Sequence, residues 1–262
     1  MFRDMFPRIM RHSVIAMVLC GSALAQQAPD PAKAAEHLMQ WRMSRINTLM
    51  NDWGELARYR AANAALAAPA LGEKRVVFFG DSITDIWKLP QYFKEKSYVN
   101  RGIGGQTTVQ MLIRFRQDVI DLKPAVVVIL AGTNDIAGNT GPMSLEDIEA
   151  NYASMADIAR AHGIAVVFSS VTPVSNYTPQ SADMFATRSP EKILAMNRWL
   201  KDYCAANRHV YLDYFSAMVD EKGWLRHGLS ADGLHPNDAG YRIMAPLAEE
   251  AIAKALKAGG SK

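Results

Sequence analysis

Four short stretches of the chain hold residues whose types and spacing suit chemistry. The first is Gly80-Asp81-Ser82, set directly after the apolar run Val76-Val77-Phe78-Phe79. A serine hydroxyl becomes a good nucleophile only beside a base, with a third group to orient that base and donors to receive the oxyanion. The last stretch, Asp232-Gly233-Leu234-His235-Pro236-Asn237, offers such a base. An Asp three residues before a His, in a loop bounded by Gly and Pro, lets a carboxylate meet its own imidazole. Between these two, Gly132-Thr133-Asn134-Asp135 offers the Asn134 amide as an oxyanion donor. Gly102-Ile103-Gly104-Gly105 offers backbone N–H groups that can approach a ligand closely. Each stretch also has an ordinary reading as a helix cap or a turn, since Asp, Ser, Asn and Gly dominate both. Of the six histidines, His12 falls in a leader, His37 and His162 in helices and His209 at the start of a strand. That leaves His227 as the weaker rival of His235.

The elements that must position these residues follow from the hydrophobic pattern. The run ending at Phe79 reads as a strand buried on both faces of a parallel sheet. Ser82 then sits past the carboxyl end of that strand, at the start of a helix. Open α/β sheets bind ligands there, and a helix N-terminus presents free N–H groups to a developing negative charge. Further strands are expected over 98–101, 125–131, 164–169 and 210–212, with helices over 107–121, 144–161, from Pro190 to 206, and 239–258. Ser144 with Asp147 three residues on marks a helix start. Residues 172–189 read as a long polar loop and 213–238 as mostly irregular. The alternation gives an α/β fold, a parallel sheet of about five strands with helices on both faces. Ahead of it, 34–65 is helical. Ile46, Leu49, Met50, Trp53 and Ala57 share one face, expected to pack against the main domain, and Asp52 with Glu55 is expected to cap a second helix.

Taken in order, the four stretches resemble the four motifs of the SGNH (GDSL-type) hydrolases. Ile83 stands where the family name has Leu. Gly102-Ile103-Gly104-Gly105-Gln106-Thr107-Thr108 looks most like the platelet-activating-factor acetylhydrolase-like and carbohydrate-esterase branches. The resemblance implies a three-layer, flavodoxin-like, doubly wound sheet and serine ester hydrolysis without a cofactor. It implies Ser82 as nucleophile, His235 as general base and Asp232 as its orienting partner. It implies an oxyanion hole made by the backbone N–H groups of Ser82 and Gly105 and the Asn134 side chain. Asp81, Asp85 and Asp135 are expected to shape loops. The chain divides into a leader at 1–25, an N-terminal helical arm and linker at 26–72, and a hydrolase domain at 73–262.

Composition narrows the remaining classes. A basic start, an apolar stretch from Ser13 to Cys20 too short to anchor in a bilayer, and Ala23-Leu24-Ala25 read as a secretory signal peptide cut after Ala25. The mature protein is then secreted or periplasmic, with no stable membrane insertion. Cleavage removes three positive charges and one negative, taking the formal net charge from +3 to +1, which gives no electrostatic case for nucleic acid. It also leaves Cys204 as the one cysteine, so no intramolecular disulfide can form. No paired His or Cys stands at metal-ligand spacing, and Gly-x-Ser-x-Gly is absent. Gly102-x-Gly104 alone suggests a dinucleotide site, but Thr107 occupies the third glycine's place. The expected substrate is a small-molecule or glycan ester, most of all an acetyl ester on a carbohydrate. Trp87, Tyr177 and Phe185, with Met184 and Trp224, are the expected substrate contacts, because aromatic faces suit sugar rings. The alternatives are a lipid-directed acylhydrolase or lysophospholipase, and a non-catalytic polysaccharide-binding module.

Overall fold

The computed structural model describes residues 43–259. The leader, its cleavage site and the first part of the arm lie outside the described residues.

Five parallel strands form one sheet: β1 Val76–Gly80, β2 Tyr98–Gly102, β3 Val126–Leu130, β4 Ala165–Ser169 and β5 Val210–Leu212. Their order is β2-β1-β3-β4-β5. Every residue of β1 and β3 is buried, which explains why both read as unbroken apolar runs. Four long helices accompany them: α1 Thr108–Asp118, α2 Leu145–Ala161, α3 Pro190–Asn207 and α4 Asp238–Gly259. On one side α1 packs on α2 and α2 on α3, while α4 lies against β3, β4 and β5. Phe78 and Phe79 show how β1 serves two layers. Phe78 meets Trp87, Phe93 and Tyr98, whereas Phe79 meets Phe115 of α1, because consecutive strand residues point to opposite faces. The sheet order reverses direction beside β1, so the crevice past the ends of β1 and β3 is the natural ligand site.

Several local signals act as expected, and several do not. Ser144 and Asp147 cap α2 reciprocally, at 3.1 and 3.2 Å. The expected helix 107–121 stops at Asp118, and a separate 3-10 turn, Ile120–Leu122, comes after it. The stretch read as a polar loop holds the turn Pro179–Ser181 and the helix Ala182–Thr187, and the irregular stretch holds the helix Tyr214–Met218. Asp52 does cap the next turns of the chain, but through the N–H groups of Leu56 and Ala57, both at 2.8 Å. Glu55 is occupied elsewhere. The arm's apolar face does not bury as expected: Ile46 is 51% exposed and Met50 81%.

One buried cation ties the strand ends together. The Arg114 guanidinium, on α1, donates to the carbonyls of Gly80 and Arg101, both at 2.9 Å, and to Asp118 at 3.0 Å. It also lies over the Phe79 ring, 4.2 Å from its centre. Arg114 and Asp118 have no solvent exposure. Removing one partner of a buried pair leaves the other charge uncompensated, at a cost of about 3–5 kcal/mol. Arg114→Ala is therefore expected to lose that much stability in urea denaturation. Arg160→Ala, which breaks an exposed pair with Asp157, should leave the transition midpoint unchanged.

Candidate active site

β1 ends at Gly80 and the chain turns at once into the short helix Ser82–Asp85. Asp81 caps that helix, its carboxylate accepting the Ile83 N–H at 2.9 Å. The turn is possible because β2 also ends in glycine: a Cβ on Gly102 would lie 2.1 Å from the Asp85 backbone nitrogen. Ser82 opens onto a cleft of about 1080 Å³, which His235, Asn134 and Gly105 also line.

Ser82 Oγ stands 2.9 Å from His235 Nε2, and His235 Nδ1 stands 2.6 Å from Asp232 Oδ2. The other Asp232 oxygen accepts the N–H groups of Leu234 and His235 at 3.0 and 2.8 Å and the Ser230 hydroxyl at 3.0 Å. The loop thus wraps around its own carboxylate, which is how a spacing of three residues brings Asp to His. Burial pushes the Asp232 carboxyl up. Hydrogen bonds from the His235 ring and from the two N–H groups outweigh it and hold the carboxyl well below the usual range. An ionised Asp232 keeps a proton on Nδ1 and leaves Nε2 to accept from the Ser82 hydroxyl. This is the geometry in which an imidazole can take a proton from a serine attacking a carbonyl.

The oxyanion candidates line the same cleft. Gly104 is committed, its N–H donating to Asp85 Oδ2 at 3.1 Å. Gly105 has a φ of +79°, a conformation suited to glycine, and its carbonyl is held by Asn139 at 3.0 Å. Asn134 is 2% exposed, on the helix Thr133–Ile136 that leaves β3, and its Nδ2 donates to the Gln106 carbonyl at 3.0 Å and to Asp81 at 3.4 Å. Its Oδ1 accepts from Arg188 at 3.1 Å. Since a guanidinium only donates, Arg188 fixes which end of the Asn134 amide faces Asp81 and Gln106. Sequence reasoning missed Arg188. It sits in the stretch read as a polar loop, and nothing in that composition marks one arginine as buried.

Two further carboxylates shape the site. Asp81 is fully buried, and burial pushes its carboxyl up to about 6, against the Ile83 hydrogen bond and the charges of His235 and Arg188. Burial likewise raises Asp135, against hydrogen bonds from the hydroxyl and N–H of Thr108 at the start of α1.

The aromatic contacts expected for substrate lie elsewhere. Trp87 is 2% exposed and stacks on Tyr241 with ring centres 5.0 Å apart. The turn after Ser82 carries it under the sheet rather than into the cleft. Tyr177 bonds to Asp220 and lines a separate, shallow depression with Lys222 and Arg226. Phe185 packs its ring against Trp224 at 4.8 Å, although Met184 and Ala186 on either side of it line the cleft. His227 packs near Tyr177 and does not line the cleft. Cys204 is buried, and burial pushes its thiol up to about 12. Among the described residues no group of three or more His, Cys, Asp or Glu is placed to hold a metal ion, and no helix is long and apolar enough to cross a membrane.

Fold and site together define an esterase of the SGNH class, built on a doubly wound parallel sheet. The model of the GDSL-like lipase/acylhydrolase family matches residues 78–243, and the chain belongs to that family and is a carboxylic ester hydrolase. It is 42% identical to a GDSL-like lipase of Bacteroides thetaiotaomicron, with a TM-score of 0.72 over 78% of this chain and 100% of that one. It is 29% identical over 190 residues to the uncharacterized lipoprotein YqeF of Bacillus subtilis, covering 62% of this chain and 75% of that protein. It is 30% identical over 138 residues to the esterase TesA of Pseudomonas aeruginosa, covering 53% of this chain and 60% of that protein.

The raised Asp81 carboxyl makes a prediction about stability. Between the ordinary value of 3.8 and about 6, the folded chain holds a proton that the unfolded chain has released. Stability therefore falls as pH rises through that window. Asp81→Asn stays neutral and can still accept the Ile83 N–H. Relative to the native chain, the variant should gain on the order of 2 kcal/mol between pH 4 and pH 7 in urea denaturation. An equal difference at both pH values would contradict the prediction.

Proposed function

We propose that the protein hydrolyses short-chain esters, acetyl above all, carried on a carbohydrate, through an acyl-enzyme on Ser82. The observation that carries this reading is the continuous hydrogen-bonded series Ser82–His235–Asp232, with contacts of 2.9 and 2.6 Å, opening on a wide cleft. In the first half-reaction Ser82 Oγ attacks the ester carbonyl while His235 Nε2 takes the hydroxyl proton. Asp232 orients the ring and stabilises the imidazolium. The N–H groups of Ser82 and Gly105 and the Asn134 amide receive the oxyanion. The 3.4 Å contact of Asn134 to Asp81 is the weaker of its two, and the one an oxyanion would displace. Collapse of the adduct breaks the bond to the alcohol oxygen, to which His235 returns the proton. Water, deprotonated by His235, then cleaves the acyl-enzyme and frees Ser82.

Support for a polar leaving group comes from Arg58, Asn139 and Thr140, which line the cleft. The leader pattern at 1–25 supports export, as does the likeness to a protein described as a lipoprotein. A second reading, a lipid-directed acylhydrolase, is favoured by Ile46, Leu49, Ile103 and Met184, which also line the cleft.

Ser82→Ala should fold normally and lose about 10⁴- to 10⁶-fold in kcat. His235→Ala should be comparably damaging and His227→Ala mild, as steady-state kinetics of the three variants will show. A fluorophosphonate probe should label Ser82; failure to label the native chain would favour a non-catalytic polysaccharide-binding module.

A panel of acetylated oligosaccharides and p-nitrophenyl esters of rising chain length separates the two esterase readings. The proposal expects kcat/KM to be highest for acetyl and to fall about tenfold or more by octanoyl. The reverse order would replace it with the lipid-directed reading.

A further inference from the structure

The region matched by the family model begins at residue 78, yet residues well before it wall the cleft. Arg45, Ile46, Leu49, Glu55 and Arg58 line the same space as Ser82 and His235. They lie on the helical stretch 43–51 and the turns just after it.

This segment is docked, chiefly by side-chain amides reaching from α1 and the residues just before it. Gln106 donates to the Gly54 carbonyl at 3.1 Å, Gln110 to Trp53 at 2.7 Å and Gln117 to Leu56 at 2.8 Å. Gln110 and Gln117 are seven residues apart, two helical turns, so they share a face of α1. The two terminal guanidinium nitrogens of Arg45 donate to the Glu55 carboxylate at 2.9 and 2.7 Å, in the paired geometry that suits Arg. Glu55 is 7% exposed, adopts a φ of +54°, and also accepts from Gln106 at 3.3 Å. The Gln106 carbonyl in turn takes the Asn134 amide. The arm and the oxyanion candidates are therefore held by the same residue, which fixes the distance between them.

Against this tight docking, the arm's apolar side chains are poorly covered. Ile46 lines the cleft and is 51% exposed, with the part-buried Leu49 beside it. Met184, Ile103 and Leu234 line the same cleft. An apolar side chain on a fixed wall, facing a cleft of about 1080 Å³, can gain burial from whatever enters.

We infer that residues 45–58 form the outer wall of the substrate cleft and set the size of ester it accepts, with Ile46 and Leu49 as the side chains that touch the substrate's apolar part. The inference rests on the Ser82 esterase reading and adds to it a specificity determinant outside the family-matched region. Arg45 and Glu55 are positioning residues: their charges satisfy each other and serve to hold the wall.

The test uses the full chain carrying Ile46→Trp or Leu49→Trp. Ile46 is half exposed, so its enlargement does not disturb the core. Two substrate series are measured, p-nitrophenyl esters from acetyl to octanoyl and acetates of phenol, naphthol and an oligosaccharide. The expected result is that the ratio of kcat/KM between the largest and smallest ester falls about tenfold or more in at least one series, mainly through KM. Size profiles that match the native enzyme within about twofold in both series, with ester turnover intact, would overturn the inference and leave the esterase reading standing. Absence of turnover and of fluorophosphonate labelling in the native chain would overturn both.

Discussion

The Arg114 guanidinium is the constraint on which the rest of the site depends. It is a full charge with no access to water, so hydrogen bonds must offset its burial. It finds them at the carbonyl of Gly80, which ends β1, at that of Arg101, next to last in β2, at Asp118, and at the Gln106 side chain, 2.5 Å away. Strand-end carbonyls lie where the sheet ladder stops and the chain must change direction. Holding two of them from one planar group sets the spacing between the turn that carries Ser82 and the loop that carries Gly105. A hydrophobic residue of equal volume would leave the Gly80 carbonyl with the Ile103 N–H alone, at 3.0 Å, and remove the group that ties the two loops together. The pair also accounts for the buried Asp118, whose other oxygen accepts from Asn63 at 2.7 Å.

From Gln106 the same logic extends outward. Its carbonyl takes the Asn134 amide, and its side-chain amide donates to Glu55 and the Gly54 carbonyl. Arg188 then closes the other side of Asn134 through Oδ1 and holds Thr133 at 3.1 Å. Asn134 is thus set by three neighbours from three different loops. Such a fixed amide is useful to chemistry because it need not reorganise when charge develops. Fixing it costs burial of two charged groups, Arg188 and Asp81. Burial pulls the guanidinium down and pushes the carboxyl up, and the mutual attraction of the two opposes both shifts.

The arm has a different physical status from the sheet. In its described part, the carbonyls of Trp53, Gly54 and Leu56 accept from glutamine side chains of the main domain, and the buried Glu55 carboxylate is met by Arg45. Of its described apolar side chains, Ile46 and Met50 contribute little to the core, being 51% and 81% exposed. A segment that is hydrogen-bonded in place and still presents Ile46 and Leu49 to the cleft is positioned without being consumed by packing.

The strands, the long helices and the four motif loops were legible in the sequence, whereas the short helices Ala182–Thr187 and Tyr214–Met218 were not. The run Val126–Leu130, short and bounded by Pro124 and Gly132, reads as a doubly buried strand, and Gly80-Asp81-Ser82 reads as a turn into a helix once such a strand precedes it. The Asp232–His235 contact was legible because it is local: three residues of loop suffice to close it. What the sequence could not determine was every contact made across the sheet by a residue with no local mark. Arg188, Arg114 and Glu55 are ordinary charged residues until the fold removes them from water, and only then does each need a specific partner. Trp87, Tyr177 and Phe185 fail for the converse reason. Aromatic character says that a side chain wants a surface to cover, and for Trp87 the packing of distant segments supplies Tyr241 and Phe78, under the sheet, as that surface.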